Sequence, residues 1–142
     1  MTDRLSKLSR SIDGSTVIVT GAASGMGRAT AHLFADEGAK LALIDIDESA
    51  LSRVADEIRT VSNNVMCLVV DLSDKFSIER AVSHVAEHYG ELDILINNAG
   101  FATPAAIDSE VFDEVWSRSF DVMATAQAWA IRAALPGLRQ SN

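Results

Sequence analysis

Cysteine is nearly missing from this chain: its 142 residues include one, Cys67, so no intrachain disulfide can staple the fold. Cys67 lies in the apolar run VMCLVV with no basic neighbour, which reads as a small buried hydrophobe and not as a reactive thiol. Basic residues are outnumbered: Lys and Arg total 12 against 20 Asp and Glu, a formal net charge of −8. That balance argues against non-specific binding to nucleic acid or to anionic membranes. It also means that any phosphate ligand must be held by backbone donors and helix ends. No apolar run approaches the ~18–20 residues of a membrane span. The opening stretch MTDRLSKLSRSIDG carries charges but no apolar core, so it does not read as a signal peptide. Internal repeats and low-complexity segments are absent too. The expectation is a soluble cytoplasmic domain without a metal site, since His84 and His88, though i, i+4 on one helix face, have no evident third ligand.

What is present is a repeated switch of period. Residues 1–14 form a polar lead-in that ends in the turn pair Asp13-Gly14. Thr16–Thr20 is a β-branched run and predicts a buried strand. Gly25–Glu37 predicts a helix, with Met26, Thr30, Leu33 and Phe34 on its inner face and Gly38 as its stop. Lys40–Asp45 predicts a second strand. Asp47 can cap the next helix, whose inward stripe is Leu51, Val54, Ala55 and Ile58. Val65–Val70 predicts a third strand. Ser73 can cap a third helix, with Ile78, Ala81, Val82 and Val85 inward and Gly90 beyond its end. Leu92–Ile96 predicts a fourth strand, followed by a loop and one long helix from Asp108 to Leu135. Strands alternating with amphipathic helices imply an α/β fold, a doubly wound parallel sheet of the Rossmann type with order 3-2-1-4 and helices on both faces.

In such a sheet a ligand sits at the carboxyl ends of the strands, where strand order reverses. The stretch TGAASGMGR falls there, with Gly21, Gly25 and Gly27 between the first strand and the first helix. Glycines let the backbone approach a pyrophosphate, and the helix N-terminus turns free N–H groups toward it. The spacing is neither the common G-x-G-x-x-G nor a mononucleotide phosphate loop, which needs a Lys-Ser/Thr pair. A glycine-rich turn that only packs helix on sheet is the alternative. Asp45 weighs against it: it ends the second strand, where a carboxylate can accept both hydroxyls of an adenosine ribose.

Taken together, TGAASGMG (Thr20–Gly27), Asp45, Asp71-Leu72 and NNAG (Asn97–Gly100) resemble the short-chain dehydrogenase/reductase family, over the whole chain from about Asp13. The resemblance implies that Gly21, Ser24, Gly25, Met26 and Gly27 line the pyrophosphate and ribose of a dinucleotide. It implies that Asp45 holds the adenosine ribose with Ile46 beside it, and that Asp71 and Leu72 contact adenine. Asn98, Ala99 and Gly100 would run under the cofactor, and Asn97 would tie the central sheet. The positions where the family places a basic residue for NADP correspond to Ala23 and Ile46, both neutral, so NAD is the expected cofactor.

The family also implies a catalytic serine and a Tyr-x-x-x-Lys pair. The single tyrosine here is Tyr89, and Asp93 stands four residues on, so Tyr89 reads as packing and no catalytic residue is assigned. The family's helix-4 asparagine falls at Met123, which cannot donate a hydrogen bond, and its small glycine position at Ala126. Residues 15–142 are therefore expected to form an NAD-binding domain truncated before the fifth strand. The function expected is the cofactor-binding half of an NAD(H)-dependent oxidoreductase, with a non-catalytic dinucleotide-binding module or degenerate family member as the alternative. Expected partners are the dinucleotide and a further copy of the chain, through the fourth helix and a bare fourth-strand edge.

Overall fold

The computed structural model describes residues 11–141; the first ten residues of the polar lead-in lie outside it. The elements run β1 (Thr16–Thr20), α1 (Gly25–Asp36), β2 (Lys40–Asp45), α2 (Glu48–Arg59), β3 (Val65–Val69), α3 (Lys75–Tyr89), β4 (Ile94–Ile96), α4 (Phe112–Phe120), a π-helical turn (Asp121–Thr125) and α5 (Ala126–Leu138). The four strands form one parallel sheet of order β3-β2-β1-β4, as expected.

Alternation along the strands builds two cores. Val17 and Val19 of β1, with Leu41 and Leu43 of β2, face α1 and α2. Ile18, Ala42 and Ile44 point the other way, onto α3 and α5. Strands buried on both faces read as continuous apolar runs, which is why TVIVT and KLALID show little polar alternation. The inward stripes of α2 and α3 are those expected: Leu51, Val54, Ala55 and Ile58, then Ile78, Ala81, Val82 and Val85. Burying one such Leu or Ile contributes about 1.5–3 kcal/mol.

Helix α1 departs from expectation. Its buried residues are Gly27, Ala31 and Ala35, while Met26 is 79% and Leu33 59% exposed. Phe34 is only partly buried. The reason is distance. A Cβ at Gly27 would overlap the carbonyl oxygen of Gly21, so α1 lies too close to the sheet for large side chains on that line. Small residues face in, and the larger ones of the rival stripe are left outside.

The cap of α3 also differs. Asp74, not Ser73, accepts the N–H of Phe76 at 3.0 Å. Ser73 is engaged with Asp71, whose Oδ1 takes both its N–H at 2.9 Å and its hydroxyl at 2.7 Å. Strand β4 is shorter than expected, Leu92 being buried ahead of it. The long last helix starts at Phe112 after turns closed by Ser109 N–H on Ala106 and Phe112 N–H on Ser109. It is interrupted by the π turn and carries Pro136 inside its final turn. A proline so near the end removes one bond of the ladder and leaves the preceding turns intact.

Candidate functional site

The carboxyl ends of all four strands converge on one side of the sheet. Thr20, the last residue of β1, organises them. Its buried hydroxyl accepts the N–H groups of Asn98 at 3.0 Å and Ala99 at 3.1 Å and donates to the carbonyl of Ile96 at 3.3 Å. The Asn98 side-chain amide donates to the carbonyls of Thr20 at 3.1 Å and Gly21 at 3.3 Å. The NNAG segment is thus stitched to the glycine loop. The tie expected of Asn97 is made by the Asn98 side chain, which leaves that amide occupied within the protein.

The three loop glycines have two kinds of surroundings. Gly21 sits at φ +65°, and a Cβ there would lie 2.7 Å from the Ala99 Cα. Gly27 is pressed against the Gly21 carbonyl. These two glycines serve internal packing. Gly25 opens onto free space, with nothing within 4 Å of a built Cβ. Ser24 and Met26 beside it are exposed. Ser24 caps α1 with extended backbone and no side-chain hydrogen bond, so the first-turn N–H groups of α1 face this open ground.

A cavity of about 320 Å³ opens beside the loop. Its walls include Gly21, Asp45, Ile46, Asp71, Leu72, Ala99 and Gly100 from the expected set. Ser24, Gly25, Met26, Gly27 and Asn98 lie outside its lining. Asp45 is fixed from two sides: Oδ2 accepts the Ala23 N–H at 3.0 Å and Oδ1 accepts the Asp47 N–H at 3.1 Å. Asp71 holds Ser73, as above, and exposes its remaining acceptor capacity.

Val70, Ser73, Phe101, Arg118 and Val122 complete the lining. The sequence marks Val70 only as a strand end and Ser73 only as a helix cap. Arg118 and Val122 sit on the far helix, one turn apart, and no spacing in the chain relates them to Asp45. Met123 follows within the π turn, and its Sδ would be 3.4 Å from a Cβ built on Gly100. The thioether therefore lies beside the exposed NNAG glycine.

Two further side chains can be placed. Tyr89 is partly buried, its hydroxyl donates to the Leu41 carbonyl at 3.5 Å, and burial raises its pKa. It is remote from the cavity lining and packs beside the α3 core. Arg28 forms a bidentate pair with Glu57 of α2, at 2.9 and 2.8 Å. Among the described residues no group of three His, Cys, Asp or Glu side chains is placed to hold a metal. No helix among them is long and apolar enough to cross a membrane.

Comparison with known proteins bears on this arrangement directly. The family model for short chain dehydrogenase matches residues 15–142. The chain belongs to the short-chain dehydrogenase/reductase family. Among curated relatives, 17-beta-hydroxysteroid dehydrogenase 13 of Mus musculus is 35% identical over 133 residues, 94% of this chain and 43% of that protein. L-sorbose reductase of Gluconobacter frateurii, solved with NADPH and L-sorbose, superposes with a TM-score of 0.85 at 31% identity, covering 91% of this chain and 49% of that one. Carveol dehydrogenase of Mycobacterium avium, solved with NAD, gives 0.84 at 27% identity, over 92% and 51%. The chain spans about half the length of the relatives it matches. Its fold and its oxidoreductase family are thereby shown, and neighbours within that family hold either NAD or NADPH.

Proposed function

We propose that residues 15–142 form the dinucleotide-binding unit of an oxidoreductase that moves a hydride between a nicotinamide and an alcohol or carbonyl substrate, with NAD(H) as its cofactor. One observation carries the cofactor choice. The Asp45 carboxylate lines the cavity, anchored by two backbone N–H groups and flanked by the neutral Ala23 and Ile46. A carboxylate has about four lone-pair positions, so two remain for the hydroxyls of a ribose. The same negative charge repels a 2′-phosphate. Arg28, the basic residue closest to the loop in sequence, is engaged by Glu57.

In this reading the open ground before Gly25, with Ser24 and Met26, takes the pyrophosphate on the N-terminus of α1. Ile46, Asp71 and Leu72 take the adenosine, while Ala99 and Gly100 run beneath the cofactor. Gly21, Gly27 and Asn98 keep the loop in place. When bound, the nicotinamide supplies the hydride chemistry; the residues described here bind and orient it.

The test is calorimetric titration with NAD and NADP. Unaltered protein is expected to prefer NAD, and a double change of Asp45→Ala with Ile46→Arg to shift preference toward NADP. Unchanged NAD selectivity in the double variant counts against the Asp45 assignment.

A second reading, a non-catalytic dinucleotide-binding module, draws on Met123. The family's asparagine there holds a water, and a thioether against Gly100 accepts only weak hydrogen bonds. Turnover with secondary alcohols, using whatever chain length the protein has in its source, separates the two: NAD binding without turnover favours the module. Self-association belongs to either reading. Among the described residues strand β4 pairs with β1 on one side only, and α4 carries the aromatic row Phe112, Trp116 and Phe120.

A further inference from the structure

The cavity beside Asp45 has one cationic side chain in its lining, Arg118, and none of the roles above uses it. Among the described residues Arg118 makes no ion pair, whereas Arg28, Arg59 and Lys75 each meet a carboxylate. Its guanidinium carbon instead lies 5.1 Å from the centre of the Phe101 ring. That contact joins α4 to the segment just after NNAG. A guanidinium is planar and weakly hydrated, and it stacks on aromatic planes. The contact with Phe101 restricts the exposed Arg118 side chain before any ligand arrives, so less freedom is lost on binding.

The rest of the lining indicates which part of a dinucleotide would meet it. Val70, Leu72 and Val122 give the cavity apolar walls, and Asp45 marks the ribose. The open ground before Gly25 lies outside this lining. The cavity is therefore built for a base and its sugar, and the pyrophosphate would leave it toward α1. Arg118 would face a flat, largely apolar heterocycle there, and Asp45 and Asp71 line the same cavity.

We propose that Arg118, backed by Phe101, recognises the adenine base by stacking its guanidinium on the purine. This rests on the dinucleotide-binding reading above. It adds a base-recognition residue on α4, an element that comes well after the glycine loop, Asp45 and Asp71 in the chain.

The test titrates the full chain with adenosine, AMP and NAD by calorimetry, for the unaltered protein and for Arg118→Met, Arg118→Lys and Phe101→Leu. Circular dichroism melts show that each variant is folded. Arg118→Met is expected to weaken all three ligands by a common factor of about three to ten. Arg118→Lys keeps the charge but not the plane and is expected to lose as much for uncharged adenosine. Phe101→Leu is expected to show a smaller loss of the same pattern.

A loss seen with AMP and NAD but not with adenosine would make Arg118 a phosphate partner and overturn the proposal. So would full rescue by lysine, or unchanged affinity in Arg118→Met. If the unaltered chain binds none of the three ligands, the dinucleotide reading falls first and this inference with it. If it binds them and Arg118→Met binds equally, only the inference falls.

Discussion

Thr20 shows how much one hydroxyl can carry. It satisfies two backbone donors of NNAG and one carbonyl of β4 in a buried position. Thr20→Val keeps the shape but leaves the Asn98 and Ala99 N–H groups without that acceptor. The change is expected to destabilise the chain by about 1–3 kcal/mol in urea unfolding, with Thr20→Ser recovering most of it. The loop glycines yield a second prediction. Gly27→Ala drives a methyl into the Gly21 carbonyl and is expected to cost about 1–3 kcal/mol of stability. Gly25→Ala meets no neighbour, and its φ of +53° costs only about 1–2 kcal/mol. Its larger effect is expected on NAD affinity, because the methyl would fill the ground before the helix N-terminus. Equal losses of affinity and stability in both variants would contradict the division of roles. In the sequence the three glycines look alike; only their surroundings separate them.

The helices differ in how far their pattern could be read. Helix α2 is legible from cap to stripe because its inner face is wide enough for Leu and Ile, and Asp47 accepts the Ala50 N–H at 2.9 Å. Helix α1 misleads because closeness to the sheet, and not periodicity, chooses its inner face. The π turn in the last helix has no signature in the residues around Met123. Acid sensitivity belongs here as well. The Ala50 N–H holds the Asp47 carboxyl below its usual range, the Ser77 hydroxyl does so for Asp74, and the Arg28 guanidinium for Glu57. A carboxylate whose folded pKa is depressed contributes stability above its unfolded pKa, and that contribution is lost as pH falls through the folded value. The melting temperature is therefore expected to be insensitive to these groups between pH 6 and 8 and to fall below about pH 4. Because all three are exposed, the effect is modest. Asp47→Ala is expected to lower the melting temperature modestly at neutral pH and to flatten part of the acid limb, as followed by thermal melts.

Among the described residues the sheet ends in two edge strands, β3 and β4, and α4 leaves a helix surface without cover. Strand β4 pairs only with β1. On α4, Trp116 stacks between Phe112 at 5.7 Å and Phe120 at 5.1 Å, yet Trp116 is more than half exposed. An apolar strand with one unpaired edge and an aromatic row are both surfaces that proteins bury against partners. The chain is expected to self-associate in a concentration-dependent way in light scattering after size exclusion. Trp116→Glu is expected to shift it toward monomer without changing the far-ultraviolet circular dichroism. A stable monomer at all concentrations would remove this expectation.

The order of strands and helices, and the placing of the glycine loop, Asp45, Asp71 and NNAG at one end of the sheet, were determined by the sequence alone. They follow from local causes: apolar runs, capping residues, turn glycines and the right-handed crossover. Tertiary structure decided what depends on distances between remote segments. It set the inner face of α1 by the Gly27–Gly21 contact and gave the structural tie to Asn98 through the buried Thr20 hydroxyl. It brought Arg118 and Val122 of the last helices to the cavity of Asp45. Such choices are made by the space left when layers pack, and no window of the chain contains that space.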